Sequence, residues 1–365
     1  MLQAHSSTYP KLISCPLWSL DAATVQQQFR EQHPGWGGIR VATHARYLGF
    51  ELGPGRAHIA FDKPISKLLD RARCWGDAGG GLFLTTVAYT TYIASVIGFL
   101  VQLDGLPPHW REVESEAFRR LVPGSSQWTS PNDLKHLHVF GFPRSFADME
   151  VRQQAAKLRV AHLEAASSGG LDVHRRADAL RELRRQSDEI GMAAPWGAWL
   201  DRLFLLQLDD AVREARTRGI SARRIEAKLV GAEAPRPLTP QQSYRVKRSF
   251  QATATRWLSA AREEDVEPRV RRKLDRWQVP EFPRIRVSRC LLFLRTMGSC
   301  VPPRVWAAVW RAMWNGWPTA HRTRGRGGLR GCLLACTAEA PGSIEHYSNC
   351  LVLHAELDRE LGLPR

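Results

Sequence analysis

The sequence predicts a mainly α-helical protein: a helical bundle, a basic helical connection, a small β element at the N-terminus and a C-terminal zinc-knuckle-like unit. Three observations lead there. Apolar residues recur at helical spacing from Pro64 onward, beginning with Ile65, Leu68, Leu69 and Ala72. Extended, proline-interrupted pieces are confined to residues 1–60. Cys332, Cys336, His346 and Cys350 fall close together near the C-terminus, in the spacing C-x3-C-x9-H-x3-C.

Within residues 1–60, Leu12 to Trp18 is apolar but broken by Pro16, so it is an edge strand at best. Val25 to Gln32 suits a short helix. Ile39–Thr43 and Ala45–Leu52 alternate enough for a hairpin between them, closed by Gly53-Pro-Gly55. Residues 61–150 then turn helical. A first helix stops at Gly79-Gly-Gly81, and Leu82 to Leu103 is apolar on most faces, as a central helix is. Leu106-Pro-Pro108 ends it, and Val113, Ala117, Phe118 and Leu121 mark the next amphipathic helix.

Residues 151–231 form a charged helical spacer, with helices expected over Val151–Ala166, over Arg175–Ile190, and from Trp199 to Leu208. Residues 232–240 hold three prolines and make the best linker. Residues 241–330 are the basic connection. It opens on a helix from Gln241 to Arg262 and includes a short apolar segment, Leu291 to Met297. After Val301-Pro-Pro303, the residues Val305, Trp306, Val309, Trp310, Met313 and Trp314 form one helical stripe, read as core that seats the zinc unit rather than as a base-stacking platform. Residues 331–358 are the Cys/His module.

Composition narrows the function. Hydrophobic content of 44% and aromatic content of 9% permit packed cores and exclude a disordered polypeptide. The formal net charge of +16 points to a polyanionic partner, nucleic acid before an anionic membrane. Residues 241–365 carry 22 Lys/Arg against 11 Asp/Glu, so most of the excess lies in the last third beside the Cys/His group. Seven scattered cysteines and no secretory pattern at Met1-Leu-Gln-Ala-His5 suit a reducing compartment, nucleus or cytoplasm, and not a disulfide scaffold. The longest apolar run, Tyr92 to Leu103, is interrupted by Ser95 and Gly98 and reads as too short for a membrane span.

Three thiols and one imidazole are the soft donors that a closed, tetrahedral structural zinc takes, so Cys332, Cys336, His346 and Cys350 are the candidate ligands. The other reading of the same cysteines is small core hydrophobes. It does not require a His and a Cys at i and i+4. Immediately upstream, Arg322, Arg324, Arg326 and Arg330 lie on a Gly-rich segment; guanidinium forks pair with phosphate oxygens, and glycine lets the backbone approach. A second cluster, Arg269, Arg271, Arg272 and Lys273, carries the same kind of signal. Either cluster is otherwise a solvated basic face. No G-x-x-x-x-G-K-S/T, H-E-x-x-H, G-x-S-x-G or dinucleotide fingerprint is present. Phe146-Ala-Asp-Met149 mimics a polymerase metal turn but lacks the second carboxylate that two-metal chemistry needs.

Tyr47-Leu-Gly-Phe-Glu-Leu-Gly53 resembles the strand that follows the palm of non-LTR retrotransposon reverse transcriptases. In the same order, Trp75, the 82–103 helix and Gln102-Leu-Asp-Gly-Leu-Pro107 resemble the thumb of that family, and Glu114 to Leu121 its next helix. Trp310, Trp314, Pro318-Thr319 and the Cys/His group resemble the zinc-binding module that closes many of these polyproteins. The resemblance covers about residues 10–125 and 290–358. It implies a palm-edge remnant, a thumb and a connection, without the aromatic-x-Asp-Asp motif that lies upstream of Tyr-Leu-Gly in the family. The expected function is therefore RNA or DNA binding by a truncated reverse transcriptase, with structural Zn, no polymerase activity of its own, no membrane, and the missing palm or another retroelement protein as a partner. The alternative is a zinc-stabilised helical scaffold for protein interactions.

Overall fold

The computed structural model describes residues 13–14, 22–36, 40–42, 44–47, 50–52, 59–102, 104–124, 128–167, 173–189, 204–231, 238–262, 266–275, 285–317, 319, 331–332, 334–336, 342–347 and 349–361. Of the described residues, 75% are helical. Two compact units are built from non-consecutive stretches: residues 1–67, 96–107 and 149–261 in the first, and 68–95, 108–148 and 262–365 in the second.

The first unit holds the small β element. β1 (Ile13–Ser14) pairs parallel with β2 (Arg40–Val41), and β3 (Ala45–Tyr47) pairs antiparallel with β4 (Phe50–Leu52). The hairpin expected between 39–43 and 45–52 is thus displaced: it lies wholly inside 45–52, where Tyr47 faces Phe50 across a two-residue connection. Such short connections are the commonest in hairpins. The remaining core of this unit is made by Met149–Ser167, Phe204–Thr217, Ala222–Val230 and Pro240–Ala261. Leu158, Ala215, Ile225, Val246, Phe250 and Leu258 interlock there with no or little solvent exposure, and His162 stacks on Phe250 at 4.7 Å. Residues 232–240 therefore join two packed helices of one unit.

The Val173–Glu189 helix has few apolar residues because it is held by charge. Its His174 and Arg181, together with Arg213, converge on the wholly buried Asp209; Arg213 and Arg181 each donate to it at 2.7 Å. Burial is the largest single effect on the Asp209 carboxyl and would raise it, but these donors together outweigh it and hold the carboxyl below its ordinary range. Lys157 is buried nearby, and burial lowers its amine to a pKa of about 8, although Asp104 and Asp210 pull it upward. Between about 8 and the 10.5 of an unfolded lysine, the unfolded chain keeps a proton that the folded chain has released. Stability therefore rises with pH across that window and is lowest below it. Lys157→Met removes this rise and adds about 3 kcal/mol at pH 7.5, to be read from urea unfolding of both proteins at pH 7.5 and 10. Equal pH slopes would show that Lys157 does not carry the effect.

The second unit is organised by aromatic side chains. Tyr89, Phe118 and Phe146 form one cluster with ring centroids 4.9–5.4 Å apart. Pro303–Met313 carries Trp306 and Trp310, with Trp314 just beyond, and all three are buried. Their partners are Trp128, Phe140 and Phe142, so the three tryptophans of the stripe are core as expected, but they pack on residues around 128–142 rather than on the Cys/His module, and Val305 of the same stripe is exposed. A buried Trp of this kind contributes roughly 4–6 kcal/mol of gross apolar burial. Leu291–Met297 is not a short segment but the middle of a helix, Ile285–Cys300. That helix crosses the Gly141 turn so closely that a Cβ on Gly298 would sit 1.9 Å from the Gly141 carbonyl oxygen. Gly141 itself has φ +94, which only glycine adopts freely.

The apolar 82–103 stretch is not one regular helix. Gly81–Ala88 passes into a π-turn at Tyr89–Ile93, then Ser95–Gly98 and a 3-10 turn at Leu100–Gln102. Along it Tyr89, Ile93 and Ile97 are buried while Leu84, Tyr92 and Phe99 are exposed, the two faces that helical spacing gives. Among the described residues, Gly81–Gly98 is the one helix long and apolar enough by composition to cross a membrane, and 44% of it is buried inside the protein, as a core helix is.

Candidate metal centre and basic segments

The C-terminal module begins as a turn. Ala335 N–H bonds the Cys332 carbonyl at 3.0 Å, with Ala335 at φ +49, and Leu334 N–H points at Cys332 Sγ from 3.4 Å. Both cysteines of the turn thereby face one side. Ser343 caps the Ile344–Tyr347 turn, its Oγ accepting from His346 N–H at 3.1 Å. The helical segment then breaks, and Cys350 stands immediately before Leu351–Leu361. His346 and Cys350 are thus one turn apart in sequence, but His346 lies in one helix and Cys350 just before the next.

These elements bring four donor atoms together. Cys332 Sγ, Cys336 Sγ, Cys350 Sγ and a ring nitrogen of His346 all lie within 4.8 Å of one another. Cys332 and Cys350 sulfurs are 4.0 Å apart, and Cys336 Sγ is 3.1 Å from His346 Nε2. A disulfide would need about 2 Å. Tetrahedral ligation at the usual Zn–S length puts sulfurs about 3.7 Å apart, close to what is observed. Three thiols gathered around one imidazole, with Cys332 and Cys350 buried, fit a metal ion with all four places taken by protein.

Proton chemistry points the same way. Burial opposes ionisation of Cys332, but bonds from the Leu334 N–H, His346 and Cys336 outweigh it and bring the thiol down to about 7. Cys336 is pushed up, by burial first and then by the neighbouring sulfurs. The Cys332 thiolate forms readily and Cys336 resists sharing its charge, a conflict that a bound cation relieves.

No family model, curated protein or solved structure matches the chain. The site therefore stands on its own geometry.

The basic segments fare differently. Arg322, Arg324, Arg326 and Arg330 lie outside the described residues. Arg269, Arg271, Arg272 and Lys273 lie on Glu267–Asp275, and two of them turn inward. Arg269 donates to the buried Asp133 carboxylate at 2.7 Å, and Lys273 Nζ donates to the Trp128 carbonyl at 3.0 Å while lying 6.0 Å from the Trp314 ring. Arg271 is half-buried and Arg272 is exposed. Helical spacing explains the split: Arg269 and Lys273, four apart, share the face that carries the buried Val270 and Leu274 inward. The decoy at Phe146–Met149 resolves too. Phe146 is core, and Asp148 lies 3.7 Å from Lys135, which is 2.6 Å from Glu114.

Sequence reasoning missed Asp133, the organising carboxylate of this region. It accepts from Ser130 Oγ and N–H, Arg269 and Trp314 Nε1. Ser130-Pro-Asn-Asp133 is a readable capping box, S-x-x-D with proline inside the start, and that was the available signal.

Proposed function

We propose that this chain is a nucleic-acid-binding protein of the nucleus or cytoplasm whose C-terminal module is built on a structural zinc ion. The observation that carries the reading is the convergence of three thiols and an imidazole within 4.8 Å, next to the most basic third of the chain. Zinc takes such a donor set without an open position, so its part is to hold the module folded. The arginine segment just before Cys332 then has a fixed base from which to grip phosphates. On this reading the chain corresponds to thumb, connection and closing zinc module of a non-LTR retrotransposon reverse transcriptase.

Replacing Arg324 and Arg326 by Ala tests the grip. RNA affinity is expected to fall severalfold at moderate salt, and the slope of log K against log salt to flatten by about 1 to 2. A filter-binding salt series that superimposes on the wild type would remove the segment from the interface.

A second reading has its own support. Leu292 and Phe293 are 64% and 58% exposed on Ile285–Cys300. Adjacent apolar side chains left on a helix surface are what a protein-interaction scaffold presents. Zinc content without RNA affinity at physiological salt is the result that favours it.

A further inference from the structure

Two large aromatic rings of the second unit stack on each other at the surface. Trp75 lies near the end of the helix Asp62–Asp77, and Tyr92 lies in the π-turn Tyr89–Ile93. Their ring centroids are 5.5 Å apart and their planes 15° from parallel, yet the residues remain 38% and 51% exposed. Elsewhere in this unit the aromatic side chains gain by burial: Tyr89, Phe118, Phe146 and the tryptophan stripe are all core. Arg71, one helical turn before Trp75, donates from its guanidinium to the Tyr92 carbonyl. That bond ties the helix to the π-turn and holds a cation beside the ring pair. Its acceptor is a neutral carbonyl, and no carboxylate among the described residues forms an ion pair with Arg71. The backbone at Tyr92 is also set apart, because Ala94 N–H bonds the Tyr89 carbonyl five residues back at 2.8 Å. Single π-turns of this kind are rare and concentrate at functional sites.

We infer that Trp75 and Tyr92 form a base-stacking platform for single-stranded nucleic acid, with Arg71 placed to meet the adjoining phosphate. Every base has a flat π-face, so a near-parallel ring pair open to solvent extends a stack without reading sequence. The guanidinium supplies a fork for phosphate oxygens. A purely apolar partner would strip water from that cation with nothing to replace it, whereas a strand brings bases for the rings and phosphate for the charge. The formal charge of +16 draws such a polyanion to the surface. The inference rests on the nucleic-acid reading above, but on residues outside both basic segments.

The full chain is titrated, by fluorescence anisotropy across a salt series, with a labelled oligoriboadenylate and with an abasic strand of the same length and charge. The wild type is expected to prefer the base-bearing strand by about fivefold or more. Trp75→Leu/Tyr92→Leu keeps apolar cover but removes the rings. It is expected to lose that preference while the slope of log K against log salt stays the same, because stacking releases no counterions. Trp75→Phe/Tyr92→Phe, which restores rings, is expected to recover part of it. An unchanged melting temperature shows that the variants fold; if the leucine variant melts lower, the phenylalanine variant decides, since recovery of the preference there requires rings. Equal binding of the two strands by the wild type, or a leucine variant that keeps the preference, overturns the platform and leaves the nucleic-acid reading standing. Self-association without any strand, lost in the leucine variant, assigns the pair to a second copy of the chain and likewise overturns it. A wild type that binds neither strand overturns both readings.

Discussion

One zinc per chain is expected from elemental analysis of the purified protein, and none from Cys336→Ser/His346→Ala. The effect is large because the module has little else to hold it. Its helices, Ile344–Tyr347 and Leu351–Leu361, are 4 and 11 residues long, and Leu351 and Val352 face solvent. Helices of that length are marginal alone. Structural zinc contributes roughly 10–16 kcal/mol of apparent binding free energy in small metal-folded units, far more than the apolar area on offer here. Chelation should therefore abolish amide-exchange protection across residues 331–361 while leaving the Phe250 and Trp310 cores protected. Protection that survives chelation, or a chain purified without metal that keeps its full helicity, would mean that the four side chains are ordinary core. Partial substitution refines the point. Cys350→Ala is expected to be as damaging as the double variant, since Cys350 is both a donor and the residue preceding the last helix.

Much of this molecule was legible because helical periodicity and ligand spacing are local signals. Leu68 and Ala72 are buried on a helix, as their spacing indicated, and the Trp306, Trp310, Trp314 stripe is core. The Cys/His spacing fixed which four atoms meet, although the helix break before Cys350 was not visible in it. What was hidden depends on contacts far apart in sequence. Nothing local shows that Val173–Glu189 survives with few apolar residues because Asp209, from another helix, collects His174 and Arg181. Nor does the run Arg269 to Lys273 reveal that two of its cations face Asp133 and the Trp128 carbonyl, some 136 and 145 positions upstream. A basic run in sequence specifies charge; which of its members remain available is decided by the partner face.

That lesson makes Asp133 the most consequential single residue in the second unit. Asp133→Ala is expected to destabilise the protein by about 3–5 kcal/mol, the usual loss when one partner of a buried ion pair is removed. Three consequences arrive together. Arg269, whose side chain is only 16% exposed, keeps its charge without its acceptor. Trp314 Nε1 loses its hydrogen bond at the centre of the tryptophan stripe, and Ser130 loses the reciprocal half of its cap. Asp133→Asn retains the cap and one acceptor, so a smaller loss of about 1–3 kcal/mol is expected. Urea unfolding of the two variants, with Arg269→Ala and the Asp133→Ala/Arg269→Ala double variant, gives the coupling directly. If Arg269 is a free phosphate-binding arginine, the double variant will lose as much as the two single changes added together. If Asp133 holds it as the geometry indicates, the second substitution costs much less than the first, because the uncompensated cation left by Asp133→Ala is then gone. RNA affinity separates the roles further. Arg272→Ala should weaken binding and lower the salt slope, whereas any effect of Arg269→Ala should track its loss of stability, since its guanidinium already has a carboxylate at 2.7 Å.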